Sequence, residues 1–353
     1  MALSEHDRIP EHALAWHRAG KRAALATVVQ TWGSAPRPVG AQLAISGEAE
    51  IMGSVSGGCV ESAVVVEAME AMEDGRGRIL EFGVSDEEAF AVGLACGGTI
   101  RVMVEPVGAD GGRGEGWEEA TLAALCEARA AGEAVGVITE TEGGWARRLV
   151  GYEAAAERFD ADRSGFEPEH PGRFVAVHNP PLRLAIVGAA HIAQPLTLMA
   201  KATGYAVSVI DPREAFASEA RFPGERLSHD WPDTALAAHG IDLRTAVVTL
   251  SHDPKIDDPA LAAAIRSPAF YIGALGSTRT HARRAERLAS AGFSAAEIAR
   301  IDAPIGADIG ARSPAEIAVS VMAEMTERLR RPATRPGAAG AGDAAAEPAE
   351  ALS

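Results

Sequence analysis

The clearest pattern of apolar and polar positions lies in the C-terminal half. Leu182-Arg183-Leu184-Ala185-Ile186-Val187 is a short apolar run stopping at Gly188, which predicts a buried strand. His191 to Thr203 predicts a helix, with Gly204 as its left-handed stop. Val207 to Ile210, closed by Asp211, predicts the next strand. Thr245 to Leu250 predicts a third, followed by a helix near Asp258 to Ile265. Phe270 to Ile272 predicts a fourth, then a Gly-rich turn and a helix from Thr280 to Ser290. Strands that alternate with helices imply a parallel, doubly wound sheet. Ser313-Pro314-Ala315-Glu316 reads as a capping box that opens the last helix.

The N-terminal half is less regular. Ala23 to Gln30, Gln42 to Ile45, Ile51 to Val55 and Thr99 to Val104 predict strands. Val60 to Met72 predicts a helix that starts directly after Gly57-Gly58-Cys59. The fold class read from these patterns is α/β: an N-terminal mixed α/β domain plus a C-terminal Rossmann-like doubly wound parallel sheet. The expected divisions are a first domain over 1–108 and a variable connecting segment over 109–181. A second domain follows over 182–330, and a disordered tail over 331–353. The connecting segment opens on a glycine cluster and ends in His178-Asn179-Pro180-Pro181, while the tail is Pro, Gly, Ala and Glu.

Composition narrows the function classes. The chain has 353 residues and a net charge of −16, which argues against a nucleic-acid partner bound through its phosphates. No apolar run approaches the roughly 18 residues of a membrane span. Met1 to Arg22 is charged and lacks the apolar stretch of a secretory signal. With three cysteines and no signal, a reducing cytoplasm is expected rather than a disulfide framework.

Several constellations could carry chemistry. Gly188-Ala189-Ala190-His191 follows a strand and opens a helix, the context of a dinucleotide-binding turn, and Asp211 ends the next strand where an acid can accept a ribose hydroxyl. Ala190, however, stands where a second glycine would let the backbone approach a pyrophosphate. In Gly53-Ser54-Val55-Ser56-Gly57-Gly58-Cys59-Val60-Glu61 the small residues are expected to leave N–H groups facing an anion. Cys59 falls beside a helix start, where the dipole favours thiolate, a nucleophile or a soft-metal ligand; a small buried cysteine in a tight turn is the plainer reading. Cys96-Gly97-Gly98 repeats that local chemistry before another strand. The spacing resembles no zinc pair, and Cys126 sits in an amphipathic helix pattern that places it in a core. Arg37, in the Pro-bounded loop Gly33 to Gly40, suits bidentate phosphate recognition, although a lone exposed turn arginine is commoner. Ser251-His252-Asp253-Pro254 and Gly273-Ala274-Leu275-Gly276-Ser277-Thr278-Arg279-Thr280-His281 lie at predicted strand ends, where open α/β sheets bind ligands; His252 could be a base and Arg279 could hold phosphate, although a loop histidine is more often merely solvated.

Gly33 to Arg37, Gly53 to Glu61, and Ala95 to Gly98 leading to Val104-Glu105-Pro106 resemble the N-terminal domain of the XdhC/CoxI family of xanthine dehydrogenase accessory proteins. Val187 to His191, Tyr271 to Thr280 and Pro304 to Ala311 resemble that family's Rossmann-like domain. The resemblance implies a maturation factor that binds the molybdenum cofactor (molybdopterin in mononucleotide or dinucleotide form), protects it, helps to sulfurate it and inserts it into a molybdenum hydroxylase of xanthine dehydrogenase or carbon monoxide dehydrogenase type. The implied partners are the apo-enzyme and a cysteine desulfurase; a homodimer is left open. Cys59 and Cys96 are carried over as the reactive pair, with Cys59 as a molybdenum contact. Arg37, Gly57, Gly58, Gly97 and Gly98, and Gly188, Ala190, His191, Asp211 and Ser277, are expected to bind the cofactor. The competing expectation is an NAD(P)-dependent oxidoreductase working through the C-terminal half.

Overall fold

The computed structural model describes residues 8–33, 35, 37–83, 98–108, 115–142 and 144–331. Cys96, Gly97, Ser34, Pro36 and residues 332–353 lie outside the described residues. The chain divides into two compact units, Met1–Pro180 and Pro181–Ser353.

In the first unit, helix α1 (Ile9–Arg18) leads to strands β1 (Ala23–Trp32), β2 (Gln42–Ser46) and β3 (Ile51–Gly53). Helix α2 (Glu61–Asp74) and strands β4 (Arg78–Phe82) and β5 (Thr99–Pro106) follow. The strands form an antiparallel sheet in the order β3-β2-β1-β5-β4. Central β1 is covered on both faces, which is why its sequence is an apolar run and not an alternation. Ala24, Ala26 and Val28 share a core with Val64 and Ala68 of α2. Ala23, Leu25 and Val29 share another with Ala13 and Leu14 of α1.

The segment expected to be a connection carries its own structure. Helix α3 (Glu119–Ala131) is followed by β6 (Val135–Glu140), β7 (Arg147–Gly151), the short helix α4 (Ala156–Asp160), β8 (Gly165–Glu167) and β9 (His170–His178). These strands form an antiparallel sheet in the order β7-β6-β9-β8. Leu122, Leu125 and Cys126 of α3, with Val137 and Phe174, lie in the same core as α1. Each such buried side chain contributes about 1.5–3 kcal/mol, so this segment is bound into the unit rather than tethering it. Arg147 Nε also donates to the buried Glu105 carboxylate of β5 at 2.8 Å.

The second unit holds strands β10 (Arg183–Val187), β11 (Ala206–Ile210), β12 (Arg226–Ser228), β13 (Thr245–Thr249) and β14 (Tyr271–Ala274). All neighbours pair in parallel, in the order β12-β11-β10-β13-β14. This is the doubly wound, Rossmann-like sheet read from the sequence, and it reverses order at β10. Alternate residues face opposite layers. Leu184 and Ile186 pack with Leu196 of α5 (Ala193–Ala202) and Val321 and Met325 of α10 (Pro314–Arg330). Ala185 and Val187 pack with Leu236 of α6 (Pro232–His239), Leu261 of α7 (Pro254–Ile265) and Leu288 of α8 (Thr278–Ser290). A further short helix, α9 (Ala295–Ile298), precedes the last one. The predicted capping box forms: Ser313 N–H donates to Glu316 at 2.8 Å, and Glu316 N–H donates to Ser313 Oγ at 3.3 Å. Among the described residues no helix is long and apolar enough to cross a membrane.

Candidate functional site

The register of the first sheet brings the N-terminal motifs to one end of it. Trp32 at the end of β1 pairs with Thr99 at the start of β5. Phe82, the last residue of β4, faces Ile100. Gly53 at the end of β3 faces Leu43, one residue into β2. The loop 33–41, the loop 54–60 and Gly98 therefore all leave from this end. Cys96 and Gly97 precede Gly98 but lie outside the described residues.

Strand β3 stops at Gly53 and not at Val55, because the chain then folds around one carboxylate. Glu61, the first residue of α2, accepts from Ser54 Oγ at 2.7 Å, Val55 N–H at 3.2 Å, Ser56 N–H at 2.9 Å and Gly58 N–H at 2.9 Å. Ser56 Oγ also donates to Glu61. Ser54 Oγ accepts from Gly57 N–H at 2.8 Å, and Ser56 Oγ accepts from Cys59 and Val60 N–H at 3.0 and 2.9 Å. Burial pushes the Glu61 carboxyl up, but the bonds from Ser56 and Ser54 and from backbone N–H groups outweigh it and hold it at about 2. The expectation that this loop offers bare N–H groups to an anion is thereby corrected. Every amide from Val55 to Val60 is satisfied inside the loop, and Glu61 is the anion it was built around.

What the loop does offer is a thiol. Cys59 is free and half-buried, packed at the edge of the core behind α2. Beside it Gly58 is exposed, at a φ of +112° that side chains rarely adopt, and a Cβ there would meet no other atom within 4 Å. Gly57 beside it is exposed as well. Cys126 is the contrast: it is buried in α3, and burial pushes its thiol up to about 12. Arg37 is exposed in its loop. Trp32, which in the sequence is only the end of an apolar strand, is 45% exposed at the same sheet end. Glu61 escapes a reading by residue type too, although Ser54 and Ser56 ahead of it, with two glycines between, form a signal for a carboxylate-centred turn. Among the described residues no group of three or more His, Cys, Asp or Glu could hold a metal ion.

The turn after β10 is also self-satisfied. Gly188 has a φ of +93°, and a Cβ on it would fall 2.6 Å from the Ser251 amide nitrogen, so close strand packing accounts for this glycine. Asp211 is fully buried. Its Oδ1 accepts from Arg213 N–H at 3.0 Å and Arg213 Nε at 2.8 Å. Its Oδ2 accepts from Ala189 N–H at 2.8 Å and Arg213 Nη2 at 2.7 Å. A carboxylate has about four acceptor sites, and all are used. Burial pushes this carboxyl up, but the bonds from Arg213 and Ala189 hold it below its ordinary range. The expected ribose acceptor is thus already paired within the chain. Ala190 N–H turns back to the Gly188 carbonyl at 2.9 Å, and His191 is exposed ahead of α5, which starts at Ala193. Ser277 caps α8, accepting from Thr280 N–H at 3.2 Å.

Comparison with known proteins follows the same two-part layout. A family model described as the XdhC and CoxI family matches residues 16–83, and one described as the XdhC Rossmann domain matches residues 184–325. The molybdenum cofactor insertion chaperone PaoD of Escherichia coli is 34% identical over 327 residues, 91% of this chain and 88% of that protein. A Bacillus subtilis protein named as a probable subunit of xanthine dehydrogenase is 28% identical over 325 residues, 88% of this chain and 94% of that protein. A crystal structure described as a xanthine dehydrogenase from Bacillus halodurans superposes with a TM-score of 0.71 at 24% identity, covering 93% of this chain and 98% of that one, which speaks to the fold. On the extent of these matches, the chain belongs to the XdhC and CoxI family.

Proposed function

We propose that this chain handles the molybdenum cofactor as cargo: it binds the cofactor, shields it, assists its sulfuration and inserts it into a molybdenum hydroxylase. The observation that carries this reading is the half-buried free thiol of Cys59, held on a loop fixed by Glu61 beside the exposed Gly57 and Gly58. A thiolate there is a soft donor suited to a sulfur-rich molybdenum centre. The exposed indole of Trp32 offers a flat face for a pterin ring, and Arg37 a guanidinium for its phosphate. The kinship with a protein named as a molybdenum cofactor insertion chaperone supports the same reading.

In this reading Cys59 either contacts the metal directly or carries a persulfide, whose outer sulfur would pass to the cargo's reduced molybdenum centre as the S–S bond breaks, with the metal giving up two electrons, the oxo group leaving as water with two protons, and Cys59 returning to its thiolate. Cys96 is the second thiol proposed, with Gly97 and Gly98 beside it. A cysteine desulfurase supplies the sulfur, and the apo-hydroxylase receives the finished cofactor. The test is activation of a purified apo-hydroxylase by cofactor-loaded chain, with and without sulfur donor. Wild-type protein is expected to activate, and Cys59→Ser to lose most of the sulfur-dependent activation. Equal activation by both proteins refutes the role given to Cys59.

A further inference from the structure

Outside the glycine turn, the second unit has a cavity of about 200 Å³ at the carboxyl ends of β13 and β14. It is lined by His252, Asp257, Arg279, Thr280, Arg283 and Arg284, with Arg287 at its edge. Arg279, Arg283 and Arg287 repeat every four residues along α8, so they lie on one helix face. Like charges at that spacing destabilise a helix unless something neutralises them. Asp258 pairs with Arg287 through bonds of 2.5 and 2.9 Å. Among the described residues, Arg279 and Arg283 have no acidic partner within 4 Å.

Arg284 is the second, independent sign. Its side chain is only 2% exposed, yet Nε and Nη1 have no hydrogen-bond acceptor. Nη2 donates to the Leu275 carbonyl at 2.8 Å, and the nearest carboxylate oxygen, on Asp257, is 3.9 Å away. That carboxylate is committed elsewhere, since Ser251 donates to it from Oγ at 2.6 Å and from its amide at 3.3 Å. Burial also pushes the Asp257 carboxyl up, which weakens its service as a counter-ion. A buried guanidinium with two idle donor groups costs several kcal/mol unless an acceptor reaches it. The N-terminus of α8, a helix of 13 residues, adds positive potential at the same cavity.

We propose that this cavity binds the phosphoryl groups of a small phosphorylated ligand, with Arg284 as its buried floor and Arg279 and Arg283 as its rim. The site lies at the β13 and β14 ends of the sheet and not at the β10 turn, whose acid and first amide are already paired with each other. It stands whether or not Cys59 handles the cofactor. Either the phosphate tail of a pterin cargo or a free nucleotide could supply the same group.

The test is isothermal titration of the full chain with pyrophosphate, then with cytidine diphosphate. Wild-type protein is expected to bind pyrophosphate saturably. The double variant Arg279→Gln/Arg283→Gln, which alters exposed positions only, should bind at least tenfold more weakly, and Arg284→Met more weakly still. Arg76→Gln, a change at an exposed arginine of the first unit, should leave binding unchanged. Cytidine diphosphate binding tighter than pyrophosphate shows that the site grips a nucleoside as well, as in a free nucleotide or a dinucleotide tail. Equal affinity shows that it reads phosphoryl groups alone, as in a mononucleotide pterin tail. Absence of saturable binding up to millimolar pyrophosphate, or binding equally strong in the double variant, overturns the proposal.

Discussion

Ser56 and Glu61 clasp each other across the start of α2. The Ser56 amide and hydroxyl both donate to the Glu61 carboxylate, and the same hydroxyl accepts from the amides of Cys59 and Val60. The position of Cys59 is therefore set by a carboxylate two residues away in sequence, through a serine three residues back. A charge buried to this degree holds its loop only while it stays ionised.

Glu61→Gln is accordingly expected to destabilise the protein by about 2–3 kcal/mol, since an amide cannot replace a carboxylate that accepts from several donors at once. The folded-state carboxyl lies near 2, below its ordinary 4.5, so its contribution is complete above about 4.5 and is lost as pH falls toward 2. Urea unfolding at pH 7 and pH 3 should show a large difference between wild type and Glu61→Gln at pH 7 and a smaller one at pH 3. Equal midpoints at pH 7 contradict the clasp.

Thiol labelling distinguishes the cysteines. In a Cys96→Ser background one thiol, Cys59, should react with a disulfide reagent under native conditions. Cys126, buried with its thiol pushed up to about 12, should react only after unfolding. Two fast equivalents, or none, contradict the exposure assigned to Cys59.

Asp211 makes a comparable prediction in the second unit. Its folded-state carboxyl is held below its ordinary range, so its stabilisation is present at neutral pH and fades on acidification. Asp211→Asn should cost about 2 kcal/mol by leaving Arg213 and the Ala189 amide without an anionic partner. Wild-type protein should show no saturable NADH fluorescence change at millimolar ligand, because the ribose acceptor is already used. Saturable NADH binding that is abolished in Asp211→Asn contradicts this assignment.

The contrast between these loops and the sheets explains what was legible in the sequence. Leu184 to Val187 and Ala246 to Val248 declare buried parallel strands because both faces need apolar residues, and Ser313 with Glu316 declares a helix start through local hydrogen bonds. Segment 109–181 reads as a connection because its opening is rich in glycine. Its strands β6 and β9 are bound in by packing in one core with α1, and β7 by the bond from Arg147 to Glu105 of β5, all far away along the chain. The roles of Glu61 and Asp211 depend on backbone turns at Gly58 and Gly188 that aim amides at a side chain. Residue type reveals an amide's freedom to turn, but not which acceptor it meets.

Whether the Cys59 thiol takes hold of the cofactor is read from the molybdenum retained per chain after gel filtration of a protein–cofactor mixture, with Cys59→Ser set against Cys126→Ser. Near-stoichiometric molybdenum is expected on wild type and Cys126→Ser, and at least a fivefold loss on Cys59→Ser. Equal retention by Cys59→Ser and wild type contradicts the role given to Cys59.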